Sequence, residues 1–493
     1  MTHQPSRREF LQVAAVTGVG YWALAGQTPK ISASPNERLA FAGIGVGGKG
    51  DGDIANAARF ADVVAVCDVD KRRLEHSMKK YPKAKPYIDF RKLLEEQEKS
   101  IDAATISTAD HTHAPAGLMA MRMKKHIYVQ KPLTRTIYEA RLMGQVAKEM
   151  GVCTQMGNQG SASDGMRVGA ARLKAGAVGD VKEIHVWTDR PVKWWLQGPD
   201  LVRTMKGYEE QARKENPNEM EKRLADMKGR IEADLKNVDW DVWLGPAKVR
   251  EYFPGIYHPN GWRGWWDFGT GALGDIACHA LNVYMKALNM GAPKSVVAIT
   301  TGHDFDAFPK SSRIEFEYAD TPQRKGFKFT WYDGGWGPDK ELLESLGFDY
   351  SEANLMDRQL VIGTEGIWGH RRRDVKQGIQ VPEVRFAPKY PDENGNIAEQ
   401  QHDDPRNMFE LITAIKENKP ELCFSNFSDQ AGPLTEAMLL GNLAVWTASK
   451  PNEWGEKVFW DAANMKITNL AELKTPGVAD LIKPVYREGY TLD

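Results

Sequence analysis

A glycine-rich segment near the beginning of the chain most restricts the fold that this sequence can adopt. The apolar run at residues 39–44 leads into the pattern Gly45-x-Gly47-x-x-Gly50, and an alanine-rich segment follows at 51–60. This pattern predicts a strand, a tight turn and a helix start, in which glycines let the backbone approach a pyrophosphate. Glycine clusters also form ordinary turns, so the loop alone leaves both interpretations open.

The residues after the loop favour the dinucleotide interpretation. A second buried-strand pattern at residues 62–67 ends in Asp68, about 20 residues after the loop, where an acid would meet a ribose hydroxyl. An acid repels a 2′-phosphate and favours NAD, while the basic residues 71–73 keep NADP as an alternative. The residues predicted to bind the dinucleotide here are Gly45, Gly47, Gly48, Gly50 and Asp68.

Short apolar runs alternate with helical patterns as far as residue 155. Such alternation predicts an α/β domain over residues 36–155, a Rossmann domain with a doubly wound parallel sheet. Ligands lie beyond the carboxyl ends of such strands, where segments 107–113 and 130–132 fall. The predicted strands after the first are 62–68, 86–88, 101–107 and 126–130, and the predicted helices are 71–80, 89–98 and 114–124.

Length and composition exclude some classes of protein. A chain of 493 residues can form two or three domains, and its net charge of −1 argues against a nucleic-acid binder. The four cysteines are scattered without zinc-ligand spacing, so we expect buried reduced thiols. His111 and His113 have no third ligand nearby, and we therefore expect no metal site.

The amino terminus has the pattern of a twin-arginine signal peptide. Arg7 and Arg8 precede Phe10 and a short apolar run, and small residues near Ala25 offer a cleavage site. We predict a signal peptide at residues 1–33, export to the periplasm, and no membrane span in the mature form. Free nicotinamide dinucleotides are not expected to be plentiful there, so export suggests a tightly bound cofactor.

Residues 156–493 are predicted to form a second, α+β domain. Alternating patterns at 181–187, 295–301, 313–318, 327–332 and 359–363 predict a large, mostly antiparallel sheet, one face of which is expected to meet a partner subunit. A charged helical insertion at 205–236 has little apolar face and is expected to form a solvated arm or lid. Two further helices are predicted at 404–416 and 430–449.

The predicted chemical centre is the segment from Trp262 to His279. Asp275 and His279 are four residues apart and share one face of a predicted helix at about 272–288. Oxidation of a secondary alcohol releases the hydroxyl proton as hydride leaves the carbon. A histidine poised near neutral pH beside a carboxylate can take that proton, and Lys131 can polarise or deprotonate the same hydroxyl.

Aromatic residues surround this centre. Fifteen tryptophans are concentrated from residue 187 onward, and aromatic faces pack on the C–H faces of sugars. Some of these tryptophans must belong to the core. The predicted contacts of a carbohydrate substrate are Asn158, Tyr257, His258, Arg263 and Trp266.

The order of these motifs resembles the Gfo/Idh/MocA oxidoreductases. Segment 108–113, the helix after it, and the Gln-Lys-Pro turn at 130–132 resemble the Thr-Pro-x-x-x-His loop and Glu-Lys-Pro turn of that family. Ala109 replaces the proline and Gln130 the glutamate, which puts the role of that carboxylate in doubt. The resemblance implies that Lys131, Asp275 and His279 converge over the nicotinamide. It also implies that Thr108, His113 and Gln130 contact the cofactor, and that the last helices pack back on the first domain.

Three functions agree with these patterns. The first is an oxidoreductase that transfers hydride between a ring carbinol of a sugar or glycoside and the nicotinamide. The second is a glycosidase in which transient oxidation allows elimination of the leaving group and the same cofactor then re-reduces the product. The third is a sugar-binding protein without catalysis, against which Lys131, Asp275 and His279 argue.

Overall fold

The computed structural model describes residues 38–348, 358–369, 373–390 and 405–492. The predicted signal peptide lies outside these residues. In the described part of the chain, no helix has the length and apolar character needed to cross a membrane. All four cysteines are buried and none forms a disulfide, as predicted.

The first domain is built on a parallel sheet of six strands. The strands are β1 (Ala40–Ile44), β2 (Asp62–Cys67), β3 (Lys85–Tyr87), β4 (Ala103–Ile106), β5 (His126–Val129) and β6 (Thr154–Met156), in the order β3-β2-β1-β4-β5-β6. The order reverses beside β1, so a crevice opens between the carboxyl ends of β1 and β4. The predicted doubly wound sheet is confirmed. The sequence did not indicate β6, which has only three residues, two of them polar.

Helices connect these strands, and their starts follow from side-chain caps. They are α1 (Lys49–Ala58), α2 (Lys71–Lys80), α3 (Phe90–Gln97), α4 (Asp110–Arg122) and α5 (Ile137–Met150). Asp70 caps α2 and Asp89 caps α3, each through a carboxylate that accepts a backbone N–H two residues on. Thr136 and Glu139 form a capping box at α5.

The second domain contains a nine-stranded sheet. Its strands are β7 (Val181–Trp187), β8 (Ser295–Thr300), β9 (Ser312–Tyr318), β10 (Phe327–Tyr332), β11 (Arg358–Gly363), β12 (Ile367–Gly369), β13 (Arg373–Asp374), β14 (Val458–Asp461) and β15 (Lys466–Ile467). They lie in the order β13-β12-β11-β7-β10-β9-β8-β14-β15, and only β7 and β10 pair in parallel. The predicted, mostly antiparallel sheet is confirmed. Residues of β9 alternate between buried and half-buried positions, which fits a sheet with one covered face.

Helices cover this sheet and join it to the first domain. They are α6 (Asp164–Lys174), α7 (Met205–Glu215), α8 (Met220–Leu235), α9 (Trp240–Leu244), α10 (Gly271–Ala280), α11 (Asn282–Leu288), α12 (Lys340–Ser345), α13 (Arg406–Glu417) and α14 (Gly432–Thr447). The helix expected at about 272–288 is two helices, because the chain breaks between α10 and α11 at Leu281.

The charged insertion is a pair of helices, α7 and α8, and it is not a freely solvated arm. Ala212 and Met227 are buried, and Met227 packs in a cluster with Trp243 and Phe253. The apolar residues are divided between the two helices, so neither helix alone shows a strong apolar stripe in the sequence.

The helices near the carboxyl terminus pack on the first domain. Phe409 of α13 lies 4.8 Å from Phe60 between ring centroids, and α14 packs beside α5. The hydroxyl of Tyr486 donates a hydrogen bond to Glu139, within the capping box of α5. The core of the first domain therefore includes residues from both ends of the described chain.

The loop between β1 and α1 leaves no room for side chains at two of its glycines. A Cβ atom at Gly45, where φ is +77°, would lie 2.7 Å from the carbonyl oxygen of Ser107, and one at Gly50 would overlap the carbonyl oxygen of Gly45. The turn is therefore held by close backbone contacts that only glycine permits. Gly52, one turn into α1, faces only the flexible end of Lys49 at 3.8 Å.

This contrast predicts opposite effects of two substitutions in one helix. Gly50→Ala should lower the free energy of unfolding by at least about 2 kcal/mol, because the loop must open to admit the methyl group. Gly52→Ala should raise it by roughly 0.5–1 kcal/mol, because alanine favours the helix. Urea unfolding followed by circular dichroism measures both. Equal stability of the two variants would contradict this description of the loop.

Candidate active site

A cleft of about 580 Å³ lies between the two domains, at the carboxyl ends of the first-domain strands. The first domain contributes the glycine loop and the segments after β2, β4 and β5. The second domain contributes aromatic and basic residues and Asp275. Residues on the two walls are Gly45, Gly47, Gly48, Lys49, Asp68, Arg73, Thr108, His111, Gln130 and Lys131 on the first, and Arg190, Trp194, Trp195, Trp243, His258, Trp262, Arg263 and Asp275 on the second.

The glycine loop follows β1 and lies between the strand ends that carry Asp68 and Lys131 in the cleft. Helix α1 begins at Lys49, so its first backbone N–H groups have no partner within the helix. The N–H of Gly50 donates to the carbonyl of Gly47 at 3.1 Å, which leaves that of Lys49 for an anion. Gly48 has φ of +58° and open space where a Cβ would stand, whereas Gly47 lies under the side chain of Arg73. Gly45, Gly47 and Gly48 line the cleft, and Gly50 supports the turn from behind. The loop and the start of α1 therefore fit a pyrophosphate.

A buried carboxylate that the sequence analysis missed lies beneath this loop. Asp53 accepts hydrogen bonds from Lys49 Nζ at 2.9 Å, from Ser107 Oγ at 2.8 Å and from Gln130 Nε2 at 2.8 Å. Gln130 in turn accepts one from the backbone N–H of Lys131. The amide group of Gln130 thus donates to Asp53, while its side chain still lines the cleft. The i,i+4 spacing of Lys49 and Asp53 was the available signal.

Asp68 stands at the carboxyl end of β2 and lines the cleft. Its Oδ1 accepts the backbone N–H of Asp70 at 2.9 Å. Burial raises the pKa of Asp68, and the nearby Arg73 and His258 partly oppose that effect. His258 Nε2 lies 3.1 Å from Asp70 Oδ2, so His258 reaches this end of the cleft from the second domain.

The end of the helical insertion and the segment after it contact the residues that follow Asp68. The backbone N–H of Lys71 donates to the carbonyl of Asn237, and that of Asp239 donates to the carbonyl of Val69, both at 2.9 Å. Arg72 pairs with Asp234 at 3.5 Å. We call residues 234–243 the clamp, because they hold the carboxyl end of β2 and bring Trp243 into the cleft wall.

The opposite end of the cleft is organised by a salt bridge between the domains. Lys131 Nζ donates to Asp275 Oδ1 at 2.6 Å and to the carbonyl of Asp275 at 2.9 Å. Arg190 Nη1 donates to Asp275 Oδ2 at 2.7 Å, and Arg263 Nε to Oδ1 at 3.2 Å. Three cations therefore share one carboxylate whose side chain is 6% exposed.

These neighbours determine the ionisation of the site. Burial alone would raise the pKa of Asp275, but Lys131, Arg263 and Arg190 together lower it well below its usual range. Burial and the nearby Lys131 lower the pKa of His279 to about 3. The expectation of a histidine poised near neutral pH is wrong, because His279 is neutral at that pH. His279 is half-buried and is not among the residues that line the cleft.

Thr108 and His113 were both predicted to contact the cofactor, but only one of them lines the cleft. Thr108 lines the cleft. His113 is fully buried and does not line it, because its ring nitrogens lie 2.9 Å from the carbonyl oxygen of Pro132 and 3.1 Å from that of Thr108. His113 therefore joins the two motif loops from behind instead of contacting a ligand in the cleft.

The predicted substrate residues divide in the same way. Arg263 and His258 line the cleft. Tyr257 packs against Trp265 and Phe268 in the core, and Trp266 stacks on Phe308 with ring centroids 3.7 Å apart. Asn158 is buried and donates to the carbonyl of Cys278. Tyr257, Trp266 and Asn158 thus lie outside the cleft lining, so their predicted contact with substrate does not agree with these positions.

Other residues that the sequence analysis did not assign do line the cleft. Arg190 lies three residues after the end of β7, and its guanidinium carbon lies 3.5 Å from the ring centroid of Trp194. Trp195 and Trp262 complete the aromatic wall. The pair Asp189-Arg190 after a predicted strand was a usable signal, since polar residues at strand ends are often placed in sites.

A buried carboxyl lies behind the cationic end. Thr270 Oγ1 donates to Asp110 Oδ2 at 2.8 Å, and Asp110 Oδ1 has no partner within the described residues. Burial raises the pKa of Asp110 to about 7, against the opposing effect of Arg263. Asp110 is therefore substantially protonated near neutral pH.

Models of known families match both domains. The description "Oxidoreductase family, NAD-binding Rossmann fold" fits residues 38–158, and "Oxidoreductase family, C-terminal alpha/beta domain" fits residues 227–324. Both domain models of the Gfo/Idh/MocA oxidoreductase family match this chain. The first match covers the glycine loop and Lys131, and the second covers Asp275 and His279.

Curated relatives match shorter segments. An inositol 2-dehydrogenase of Salmonella typhimurium is 27% identical over 99 residues, 20% of this chain and 29% of that protein. A "Glycosyl hydrolase family 109 protein" of Shewanella pealeana is 26% identical over 225 residues, 40% of this chain and 48% of that protein. The chain thus spans less than half the length of these curated relatives.

Solved structures align over more of the chain at lower identity. The WlbA dehydrogenase of Bordetella pertussis, in complex with NADH and UDP-GlcNAcA, is 14% identical, covers 85% of this chain and 98% of its own, and has a TM-score of 0.49. An inositol dehydrogenase homologue of Azotobacter vinelandii, complexed with NADH and myo-inositol, is 14% identical, covers 85% and 97%, and has a TM-score of 0.49. Identities this low leave the substrate of this chain open.

The position of Asp110 predicts how stability depends on pH. The folded state holds the proton of this carboxyl more strongly than the unfolded state does, so the free energy of unfolding should fall as pH rises from about 4 to about 7. Asp110→Asn carries no charge at any pH in this range. Its free energy of unfolding, relative to that of the parent protein, should therefore rise by on the order of 2 kcal/mol between pH 5 and pH 8.

Urea unfolding of both proteins across this pH range measures the difference. Asp333, whose pKa burial also raises to about 7, is present in both proteins and cancels in the comparison. Parallel pH profiles for the two proteins would show that Asp110 is ionised throughout.

Proposed function

We propose that this protein is an NAD-dependent oxidoreductase that transfers hydride between a ring carbinol of a sugar or glycoside and a tightly bound nicotinamide dinucleotide. The observation that carries the proposal is the Lys131–Asp275 pair, which lines the same cleft as the glycine loop. Both family models agree with this reaction class. The alternative of a sugar-binding protein without catalysis would not need this ion pair in the cleft.

The residues at the glycine end suit the cofactor. The backbone N–H groups of the loop at residues 45–49 would bind its pyrophosphate, and Asp68 would accept from a ribose hydroxyl. NAD, when bound, would accept the hydride from the carbinol carbon. Asp68 favours NAD, and the adjacent Arg73 keeps NADP as an alternative.

Lys131 is the group that we assign to the substrate hydroxyl. Two of its three N–H donors are directed at Asp275, which leaves the third for an oxygen in the cleft. A donor in that place stabilises the negative charge that develops on the oxygen as its proton leaves. Asp275 holds the lysine in position. His279 lies one helix turn after Asp275 and is neutral at working pH, so its imidazole is the group that we assign to accept the hydroxyl proton, directly or through a water molecule.

The clamp supports the proposal of a tightly bound cofactor. Asp234, Asn237 and Asp239 fasten the second domain to the segment beside Asp68, and Trp243 and His258 cover the same end of the cleft. These contacts tie the two walls together beside Asp68, so they would slow the release of a nucleotide bound there. We therefore expect the nucleotide to be retained through many turnovers.

The amino-terminal pattern and the large sheet support two further proposals. We infer export to the periplasm by the twin-arginine route, and assembly of a homo-oligomer through the second-domain sheet. A tightly held nucleotide agrees with the first proposal, because that route carries folded proteins. The half-buried positions of β9, which include Arg313 and Glu315, offer a polar surface for the second.

A second candidate function is net hydrolysis of a glycoside. Two relatives that carry the name glycosyl hydrolase family 109 favour it, one from Shewanella pealeana and one from Bacteroides thetaiotaomicron, the latter 30% identical over 141 residues, 27% of this chain and 29% of that protein. A reaction that oxidises and then re-reduces the same carbon consumes no nucleotide, so a retained cofactor suits it equally well.

Incubation of the purified protein with nitrophenyl glycosides distinguishes the two functions. We expect a keto sugar and reduced nucleotide, detected by mass spectrometry and by absorbance of the nucleotide, without added NAD. Release of nitrophenol without net reduction of the nucleotide would instead assign the glycosidase reaction. If neither a keto sugar nor nitrophenol forms with any glycoside of a panel, the result would favour the sugar-binding protein without catalysis.

Substitution of Lys131 tests its role. Lys131→Met should lower kcat/KM by roughly 100-fold or more, because the donor at the substrate hydroxyl is lost. The fold should persist, since Arg190 and Arg263 still pair with Asp275. Lys174→Met, at an exposed lysine of α6, is the control and should keep full activity. Equal activity of both variants would contradict the assignment.

Isotope exchange tests the retention of the cofactor. Protein incubated with labelled NAD and then separated by gel filtration should keep its original nucleotide. The mass of that nucleotide also distinguishes NAD from NADP. Complete exchange within minutes would contradict a tightly bound cofactor, whatever the activity.

A further inference from the structure

We propose that the substrate carries an anionic group, a carboxylate, phosphate or sulfate on the sugar, which Arg190 and Arg263 bind beside Lys131. This inference rests on the proposed sugar-acting function and specifies the class of substrate for the same site. It depends on the charges, the free donors and the aromatic wall at the cationic end of the cleft.

The charges at this end do not cancel. Lys131, Arg190 and Arg263 bring three positive charges to the single carboxylate of Asp275, which leaves a net charge of +2. A further carboxyl in the range of these charges, Asp110, is buried, and burial raises its pKa to about 7, so it is only partly ionised at neutral pH. A neutral sugar would leave this excess uncompensated, and an anion would balance it.

The excess charge is partly withdrawn from water, which increases its effect. The side chains of Lys131 and Arg190 are each 16% exposed, and that of Arg263 is 25% exposed. Charge interactions strengthen as water is excluded. The nicotinamide of oxidised NAD is itself positively charged, so a bound anion would also offset the repulsion within the complete site.

Both arginines keep donors for a ligand. Arg190 uses Nη1 for Asp275, and its Nε is buried away from solvent, so Nη2 is the donor that it can offer to a ligand. Arg263 uses Nε for Asp275 and makes a long contact, 3.4 Å, from Nη1 to the carbonyl of Asn260. In the described part of the chain, no hydrogen bond is found for Nη2 of either residue. Planar guanidinium groups bind carboxylate and phosphate oxygens through paired N–H donors.

Aromatic rings hold these guanidinium groups in place. Arg190 lies over Trp194 at 3.5 Å and Arg263 over Trp262 at 4.2 Å, measured from the guanidinium carbon to the ring centroid. Trp194 is 55% exposed, so part of its face is open to solvent at the mouth of the cleft. The stacking fixes the arginines before a ligand arrives, which lowers the entropy lost on binding. A sugar ring with an anionic substituent matches such a wall.

Matched pairs of sugars test the proposal by binding, which does not require turnover. Methyl glucoside and methyl glucuronide differ only at C6, and glucose is the neutral partner of glucose 6-phosphate and glucose 6-sulfate, which provide the other two anions. Tryptophan fluorescence and calorimetry of the nucleotide-loaded protein should show at least one anionic sugar bound 10-fold or more tightly than its neutral partner. Its affinity should fall as NaCl is raised. Which anion binds identifies the group.

Two variants assign the effect to the arginines. Arg190→Gln and Arg263→Gln should each weaken binding of the anionic sugar about 10-fold more than they weaken binding of the neutral sugar. Arg172→Gln, at an exposed arginine of α6 outside the cleft lining, is the matched control and should bind both sugars as the parent does.

The outcomes separate this inference from the function on which it rests. Equal affinity for the neutral sugar and all three anionic sugars would overturn the anionic substrate, even if the neutral sugar is oxidised. Preferential binding of an anionic sugar that depends on Arg190 and Arg263 would support it, even if turnover shows hydrolysis instead of oxidation. An anionic preference that both glutamine variants retain would also overturn it.

Discussion

The salt bridge between Lys131 and Asp275 is the interaction on which the site depends. Lys131 follows β5 of the first domain, and Asp275 belongs to α10 of the second, so their 2.6 Å contact places both walls of the cleft. Arg190 and Arg263 approach the same carboxylate from other segments. Loss of one cation leaves the carboxylate paired, whereas loss of the carboxylate would leave three cations confined together, a far larger cost.

The two ends of the cleft have opposite character. At the end beside β2, Asp68 and Asp70 are surrounded by donors from both domains, including His258. At the other end, Lys131, Arg190 and Arg263 outnumber the carboxylate of Asp275. A dinucleotide placed along the cleft would have its ribose hydroxyls at the acidic end and its reactive ring at the basic end. The same polarity that orients the cofactor would also select the substrate.

Features that depend on a local pattern could be predicted from the sequence, and features that depend on distant contacts could not. The strands Val181–Trp187 and Phe327–Tyr332 were predicted to the residue, because alternation and burial are local properties. Tyr257 and Trp266 were wrongly placed, since an aromatic side chain in a core and one in a sugar site look alike in sequence. The depressed pKa of His279 and the position of Arg190 result from neighbours far along the chain.

The contact between Phe60 and Phe409 has a consequence for biosynthesis. Phe60 belongs to the first domain, yet its aromatic partners, Tyr390 at 5.3 Å and Phe409 at 4.8 Å, are more than 300 residues later in the chain. On the ribosome, the nascent first domain would expose this apolar surface until those residues emerge. The surface around Phe60 can therefore reach its final packing only after the second domain has been synthesised. Until then it is an exposed apolar surface of the kind that chaperones bind.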